Sequence, residues 1–357
     1  MIAEASLVQT RAVGAPLAEL ARDSMQRVGS HLEMDLLGTT HPHDVASAIA
    51  ATCRPLGDVQ EAHFYEAGVG LVVGLQLDSD MAVVVKLHRF NASVRRLTAC
   101  VEVQAHLHEA GMPAPRPLLP VVPVGSGLAT VEELRAGAEA DGRDPAVRRA
   151  MAIELHRFIR AARPLAPGVA LDPLWLPASP DDPLWATPHD LRFDFEATAG
   201  GAEWIDDLAR AAFERRRRDG GEAVIGHVDW RVQNLAFDGD HVVAIYDWDS
   251  LALVSEPAIV GQAAGGFPID WRAGHADPPP TVEEMRAFVA DYERARGTAF
   301  TPRELDALDA ANLAMIAYGA RTQHSDQLLR PDLGDNSEIG WPRLLRERGE
   351  RCFGTDT

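Results

Sequence analysis

Residues 223–250, AVIGHVDWRVQNLAFDGDHVVAIYDWDS, constrain the fold more than any other stretch. A short apolar strand at Ala223–Ile225 delivers His227-Val228-Asp229, and Asn234 follows within the same loop. Leu235-Ala236-Phe237 reads as a strand, Asp238-Gly239-Asp240 as a turn, and the following VVAIY as a strand ending in Asp247-Trp248-Asp249. Such a hairpin is expected to bring Asp229, Asn234 and Asp247 to one end, three oxygen-bearing side chains beside each other.

Other periods surround this unit. Residues 1–50 have apolar positions at helical spacing and no motif. From residue 62, AHFYEAG, LVVGLQL and MAVVVKLH are β-rich runs broken by glycines and by Asp78-Ser79-Asp80, an antiparallel meander with Lys86 on its third strand. A helix is expected from about Ala92 to Ala110, stopped by Gly111 and Pro113, and LATVEEL (128–134) reads as another strand. Asp144-Pro145 opens a helix closed by Pro164. Thr281 with Glu284, and Thr301 with Glu304, are capping boxes before two late helices, the second running to about Leu329. Residues 164–190, rich in proline and tryptophan, give no clear signal. The fold class expected is α+β, in three parts: a helical extension (1–50), a small β-rich lobe (51–131) and a larger, mostly helical lobe (132–357).

Composition narrows the function. The formal net charge is −19, which argues against a nucleic-acid binder and against docking on anionic lipid. Residues 1–131 hold 9 basic and 13 acidic residues, and residues 132–357 hold 25 and 40. No run approaches about 18 apolar residues, the N-terminus lacks a secretory pattern, and the three cysteines are widely spaced, so a cytoplasmic protein without a disulfide framework is expected. Of the 34 basic residues, all are arginine except Lys86. One retained lysine suggests a site that needs a compact ammonium rather than a planar fork. The run Arg215–Arg218 ends a helix that begins near Asp206-Asp207, so it complements the helix dipole.

Phosphoryl transfer from a nucleotide needs this set of residues. A divalent metal such as Mg²⁺ takes hard oxygen ligands, a separate carboxylate orients the acceptor hydroxyl, and a fixed cation holds the donor phosphates. An Asp-x4-Asn pair, a second Asp after a hairpin, and a lysine on the third strand of a small lobe supply all three. The lysine should find an acid on the following helix.

His227-x-Asp229-x4-Asn234 followed by Ile245-Tyr246-Asp247-Trp248 resembles the catalytic and metal segments of the aminoglycoside phosphotransferase-like kinases. VVVK resembles that family's third-strand lysine, HLHEAGMPAPRPL its helix exit, VEELRAG its hinge, and IELHRFIRAA the helix after it, so the match covers roughly residues 60–265. The resemblance implies a protein-kinase-like two-lobed fold with nucleotide between the lobes. It implies Asp229 as catalytic base, Asn234 and Asp247 as Mg²⁺ ligands, Lys86 as phosphate ligand with Glu102 as its helix partner, Glu133 in the hinge as a cofactor-binding residue, and His227 as a brace of the catalytic loop. The chain departs from the family at Val228, in the loop Trp230–Gln233, and at Ser255–Gly261. For the helix acid, the interval from Lys86 points to Glu102, while counting back from Pro113 points nearer Cys100.

Several alternatives stay open. Arg231 either meets the γ-phosphate or faces solvent. Gly68-x-Gly70-x3-Gly74 either covers phosphate or forms an ordinary turn. Trp230 and Trp248 either pack or present a platform. The expected function is a small-molecule kinase using ATP or GTP with Mg²⁺, acting on a hydroxyl of a small acceptor. That acceptor is either cationic, as an aminoglycoside is, drawn by acidic groups such as Asp249, Glu256, Asp270, Glu283 and Asp326, or a neutral metabolite such as a sugar or macrolide. A nucleotide-binding scaffold without turnover is the other class.

Overall fold

The computed structural model describes residues 14–89, 93–177, 182–188, 193–270, 278–330 and 339–354. In chain order its elements are α1 (Leu17–Val28), α2 (His31–Leu37), α3 (Pro42–Cys53), β1 (Val59–Ala67), β2 (Leu71–Leu77), β3 (Ala82–His88), α4 (Val94–Glu109), β4 (Val122–Val124) and β5 (Gly127–Glu133). There follow α5 (Pro145–Ala162), α6 (Glu203–Arg217), β6 (Ala223–His227), β7 (Leu235–Asp238), β8 (His241–Ile245), β9 (Leu251–Ser255), α7 (Glu256–Gly266), α8 (Val282–Arg296), α9 (Pro302–Leu329) and α10 (Gly340–Arg348). The chain divides into two units. One comprises Met1–Glu139, Gly168–Leu171 and Leu235–Asp249; the other comprises Ala140–Pro167, Asp172–Asn234 and Ser250–Thr357.

The first unit is built on an antiparallel sheet of order β1-β2-β3-β5-β4. Alternation gives it two chemically different faces. Leu71, Val73, Leu75 and Leu77 of β2, Val83, Val85 and Leu87 of β3, and Ala129 and Val131 of β5 form a buried cluster with Leu17, Leu32, Leu36, Val45 and Ile49 from α1–α3. The helical segment within residues 14–53 thus covers the apolar face of the sheet; residues 1–13 lie outside the described part. Each large aliphatic side chain so buried contributes about 1.5–3 kcal/mol relative to exposure. The opposite face carries Lys86 and His88 of β3 and Thr130 and Glu132 of β5, since Lys86 pairs with Thr130, and Val84 with Glu132.

Three glycines between and within β1 and β2 serve packing. Gly68 donates its N–H to Gly70 across the turn. A Cβ on Gly70 would lie 2.4 Å from the Leu87 carbonyl oxygen, and one on Gly74 would lie 2.3 Å from the Phe64 ring. The ordinary-turn reading therefore accounts for them. α4 starts at Ser93, whose hydroxyl accepts from the Arg96 N–H at 3.4 Å, and ends at Gly111, which takes a φ of 76°.

The second unit is mostly helical. α9 runs through it with Ala, Leu, Ile and Asn buried on several sides, and α6, α7 and α10 pack on it. Gly261 of α7 lets the backbones touch: a Cβ there would lie 2.0 Å from the Leu308 carbonyl oxygen, and Asn312 donates to the Gly261 carbonyl at 3.1 Å. Both capping boxes form, at Thr281/Glu284 and Thr301/Glu304. β6 pairs antiparallel with β9, not with the hairpin strands; β7 and β8 pair with each other in the first unit.

The arginine run at the end of α6 is structural. Arg215 pairs with Asp306 and Asp309, each at 2.8 Å, while Arg216 and Arg217 donate to the carbonyls of Trp175 and Pro177. Asp309 is fully buried and also receives Arg348 at 2.6 Å and the N–H groups of Cys352 and Phe353, which fastens the C-terminal tail to α9. The three cysteines are free and buried. No helix among the described residues is long and apolar enough to cross a membrane.

Candidate active site

In the second unit β6 leads into a tight loop. His227 is buried at the strand end, with its ring edge-on to Phe158 and Trp230 at centroid distances of 6.4 and 5.7 Å. Trp230 is buried too and donates its indole N–H to the Met151 carbonyl, so it packs rather than forming a platform. The Val232 N–H bonds the Phe267 carbonyl at 2.8 Å, tying the loop to the end of α7.

These anchors hold Asp229 in a defined pose. Its Oδ2 accepts from Asn234 Nδ2 at 2.9 Å and sits 2.8 Å from an Arg231 guanidinium nitrogen. Asn234 Nδ2 also donates to the Asp229 main-chain carbonyl at 2.9 Å. Both amide protons are thereby used, so Asn234 turns its carbonyl oxygen away, and Asp229 keeps Oδ1 without a hydrogen bond among the described residues. Arg231 is not solvent-facing: its side chain is 12% exposed and sits against Asp229. A small pocket beside Asp229 is lined by Trp230, Arg231, Gln262, Ile269 and Met315.

In the first unit the hairpin ends at Tyr246, whose hydroxyl donates to the Arg135 carbonyl at 2.9 Å; the Ile245 N–H bonds the Pro113 carbonyl at 2.8 Å. The next residue, Asp247, takes a φ of 63°, a left-handed conformation that aspartate tolerates better than most residues. Trp248 is buried and donates to the Ile245 carbonyl, another packing tryptophan. The turn delivers Asp247 and Asp249 together to Lys86, whose ammonium donates to both carboxylates. Asp249 also meets His88 Nδ1 at 3.3 Å. Burial alone would depress the Lys86 ammonium, but the two carboxylates outweigh it and hold it above the ordinary lysine range. Burial likewise opposes the charge on Asp249, yet Lys86 and His88 hold its carboxyl well below the usual range.

The expected helix partner of Lys86 does not meet it here. Glu102 makes no ion pair or hydrogen bond to Lys86 among the described residues. The α4 residues that reach this cluster are Arg96, which donates to the Asp249 carbonyl at 2.8 Å, and Gln104, which donates to the Glu132 carboxylate. Glu102 sits about 200° around the helix from Cys100, which shares the Arg96–Gln104 face. The carboxylate of Glu133 lies near Arg116 and Arg135, because neighbouring strand residues point to opposite faces. Its neighbour Glu132 is the one on the Lys86 face. Burial pushes the Glu132 carboxyl up to about 7, against the downward pull of Gln104 and Lys86. The sequence signal for Glu132 was the strand alternation itself, counted from Lys86 across the sheet.

Among the described residues no three His, Cys, Asp or Glu side chains cluster as a closed metal cage. An open set of one or two oxygens completed by phosphates and water is the ordinary arrangement for Mg²⁺. The acidic groups expected to draw a cationic acceptor are largely engaged elsewhere. Glu256 binds Arg163, Arg296 and the Tyr292 hydroxyl at 3.0, 3.2 and 2.9 Å, Asp326 binds Arg330, and Asp249 binds Lys86 and His88.

A model of the phosphotransferase enzyme family matches residues 44–253, more than half of the chain. The chain belongs to this family. It is a small-molecule phosphotransferase with an alcohol group as acceptor. Solved structures of similar fold include a spectinomycin phosphotransferase in complex with ADP and spectinomycin, with a TM-score of 0.54 at 12% identity, covering 86% of this chain and 95% of that one. An amicoumacin kinase in complex with AMP-PNP and Ca²⁺ has a TM-score of 0.52 at 9% identity, covering 79% of this chain and 91% of that one. No curated protein matches the phosphotransferase significantly in sequence.

Proposed function

We propose that this phosphotransferase moves the γ-phosphoryl group of ATP, or of GTP, to a hydroxyl of a small molecule with Mg²⁺ present. The observation that carries the reading is the pose of Asp229. With Oδ2 held by Arg231 and Asn234, Oδ1 is presented to an acceptor hydroxyl, orients it and takes its proton as the oxygen attacks phosphorus. Arg231 acts by fixing that carboxylate. By the resemblance, Asn234 and Asp247 are each assigned to the divalent metal, and an amide oxygen and a carboxylate are both donors that such a metal takes. Bound metal would supply charge neutralisation on the phosphates. Lys86 supplies a compact ammonium for the non-transferred phosphates, and Glu133 lies in the segment that the resemblance assigns to nucleotide. The ADP and AMP-PNP of the two structural relatives support a nucleotide donor.

A neutral acceptor is favoured over a cationic one. The pocket beside Asp229 has one carboxylate, one guanidinium, Gln262 and apolar walls, and Glu256 and Asp326 are neutralised by arginines. Labelled ATP and Mg²⁺ with a panel of hydroxyl compounds tests this. Transfer to a neutral sugar-like or macrolide-like compound, with KM unaffected by salt, is expected. A polycationic best substrate whose KM climbs with salt overturns the neutral reading, and nucleotide binding without transfer to any member overturns the kinase reading.

A further inference from the structure

The face of α4 turned toward Lys86 carries Arg96, Cys100 and Gln104, spaced one turn apart. None is an acid. Arg96 holds the Asp249 carbonyl and also reaches Cys100 Sγ at 3.9 Å, while Gln104 is fixed by the Pro115 carbonyl at 3.0 Å and donates to Glu132. A small thiol thus sits between the two residues of this face that reach the Lys86 cluster. Across the sheet, Glu132 sits diagonal to Lys86 on the same face, within the reach of a long side chain, and the two charges interact.

The lysine meanwhile has three acids nearby. Two of them, Asp247 and Asp249, hold its ammonium now, and Asp247 is the proposed metal ligand. A carboxylate engaged by a divalent cation gives a lysine much weaker attraction. Some other acid must then keep the ammonium from swinging away from the phosphates. An ammonium suits such an exchange, because three rotatable donors on a flexible stem can be passed between carboxylates, whereas a guanidinium fork cannot.

We infer that Glu132 of β5, aimed by Gln104 of α4, is the positioning residue that holds Lys86 in the nucleotide-bound state. In this assignment the acid lies on the strand rather than on the helix. This assignment rests on the reading of Lys86 as the phosphate ligand.

The test combines steady-state kinetics with a direct view of the lysine. Because Lys86 is the sole lysine, ¹³Cε-lysine labelling gives one side-chain signal from the intact chain. Glu132→Gln is expected to lower kcat/KM for the nucleotide about 10–100-fold, mainly through KM, with the melting temperature of the free protein no lower than that of the unaltered protein. Its lysine signal should broaden or split with Mg²⁺·AMP-PNP bound, where the unaltered protein gives one sharp line. Adding Cys100→Glu to Glu132→Gln should restore most of the activity and the single line. Should Glu132→Gln not fold, Gln104→Leu keeps the carboxylate but removes what aims it, and a smaller loss of the same kind is expected. Kinetics within twofold of the unaltered protein in the folded variants, or no rescue by Cys100→Glu, overturns the assignment while leaving the kinase reading intact. Absence of Mg²⁺-dependent nucleotide binding by the unaltered protein removes the kinase reading and this assignment together.

Discussion

Charge is handled differently in the two units. In the second, arginines clamp fixed partners. Arg215 and Arg348 hold Asp309, Arg163 and Arg296 hold Glu256, and Arg231 holds Asp229. In the first, the central cation is Lys86, among three carboxylates with no single one of its own. Planar forks suit groups that stay in place through the reaction, and a point charge suits one that changes partners. A point charge at Lys86 fits the exchange of partners inferred above.

The comparison can be broken at four places. The largest effect is expected at Asp229, the proposed base. Asp229→Asn retains the bonds that fix the loop but removes the proton acceptor, so kcat should fall by about 10²–10⁴ while Mg²⁺·nucleotide binding persists. Full activity in single-turnover assays removes Asp229 from its role. Next comes the buried clamp. Asp309→Ala leaves Arg348 and Arg215 without a buried counterion and should destabilise the protein by about 3–5 kcal/mol in urea unfolding, since Asp309 and the Arg348 side chain are both fully buried. A loss under about 1 kcal/mol means the tail is fastened elsewhere.

Third, Lys86→Arg puts a fork where exchange is needed. It keeps charge and the contact with Asp247, yet should raise the nucleotide KM about tenfold or more. An unimpaired arginine variant erases the contrast between the two units. The smallest effect is a pH dependence. Burial raises the folded-state pKa of Glu132 from 4.5 to about 7. The folded protein therefore binds this proton more tightly than the unfolded chain does. Its stabilising contribution is complete below 4.5 and is lost as pH rises toward 7. Glu132→Gln cannot lose a proton there, so its melting temperature relative to the unaltered protein should climb between those pH values. A constant difference shows that Glu132 is ionised throughout.

Local signals made most of the architecture legible. Capping boxes at Thr281 and Thr301, the Asp144-Pro145 start, the glycine-broken strands and the hairpin after Asn234 each act over a few residues, and the corresponding elements formed within a residue or two. That Asp229 and Asn234 share one loop was legible for the same reason, and the structure adds the hydrogen bonds between them. The partner of Lys86 was not. An interval of sixteen residues pointed to Glu102, but a helix face is set by where the helix docks, which no spacing along the chain records.

The sequence by itself determined the elements and the family, since these depend on backbone propensity, turn chemistry and residue type at short range. Tertiary structure decided which charges meet. Register across β3 and β5 put Glu132 rather than Glu133 on the lysine's face, and the docking of α4 turned Cys100 and Gln104 inward in place of Glu102. Packing of α7, α8 and α9 spent Glu256 on arginines instead of leaving it to a ligand. Coulomb interactions weaken with distance and with solvent, so a count of charges becomes a site only when the fold fixes the distances.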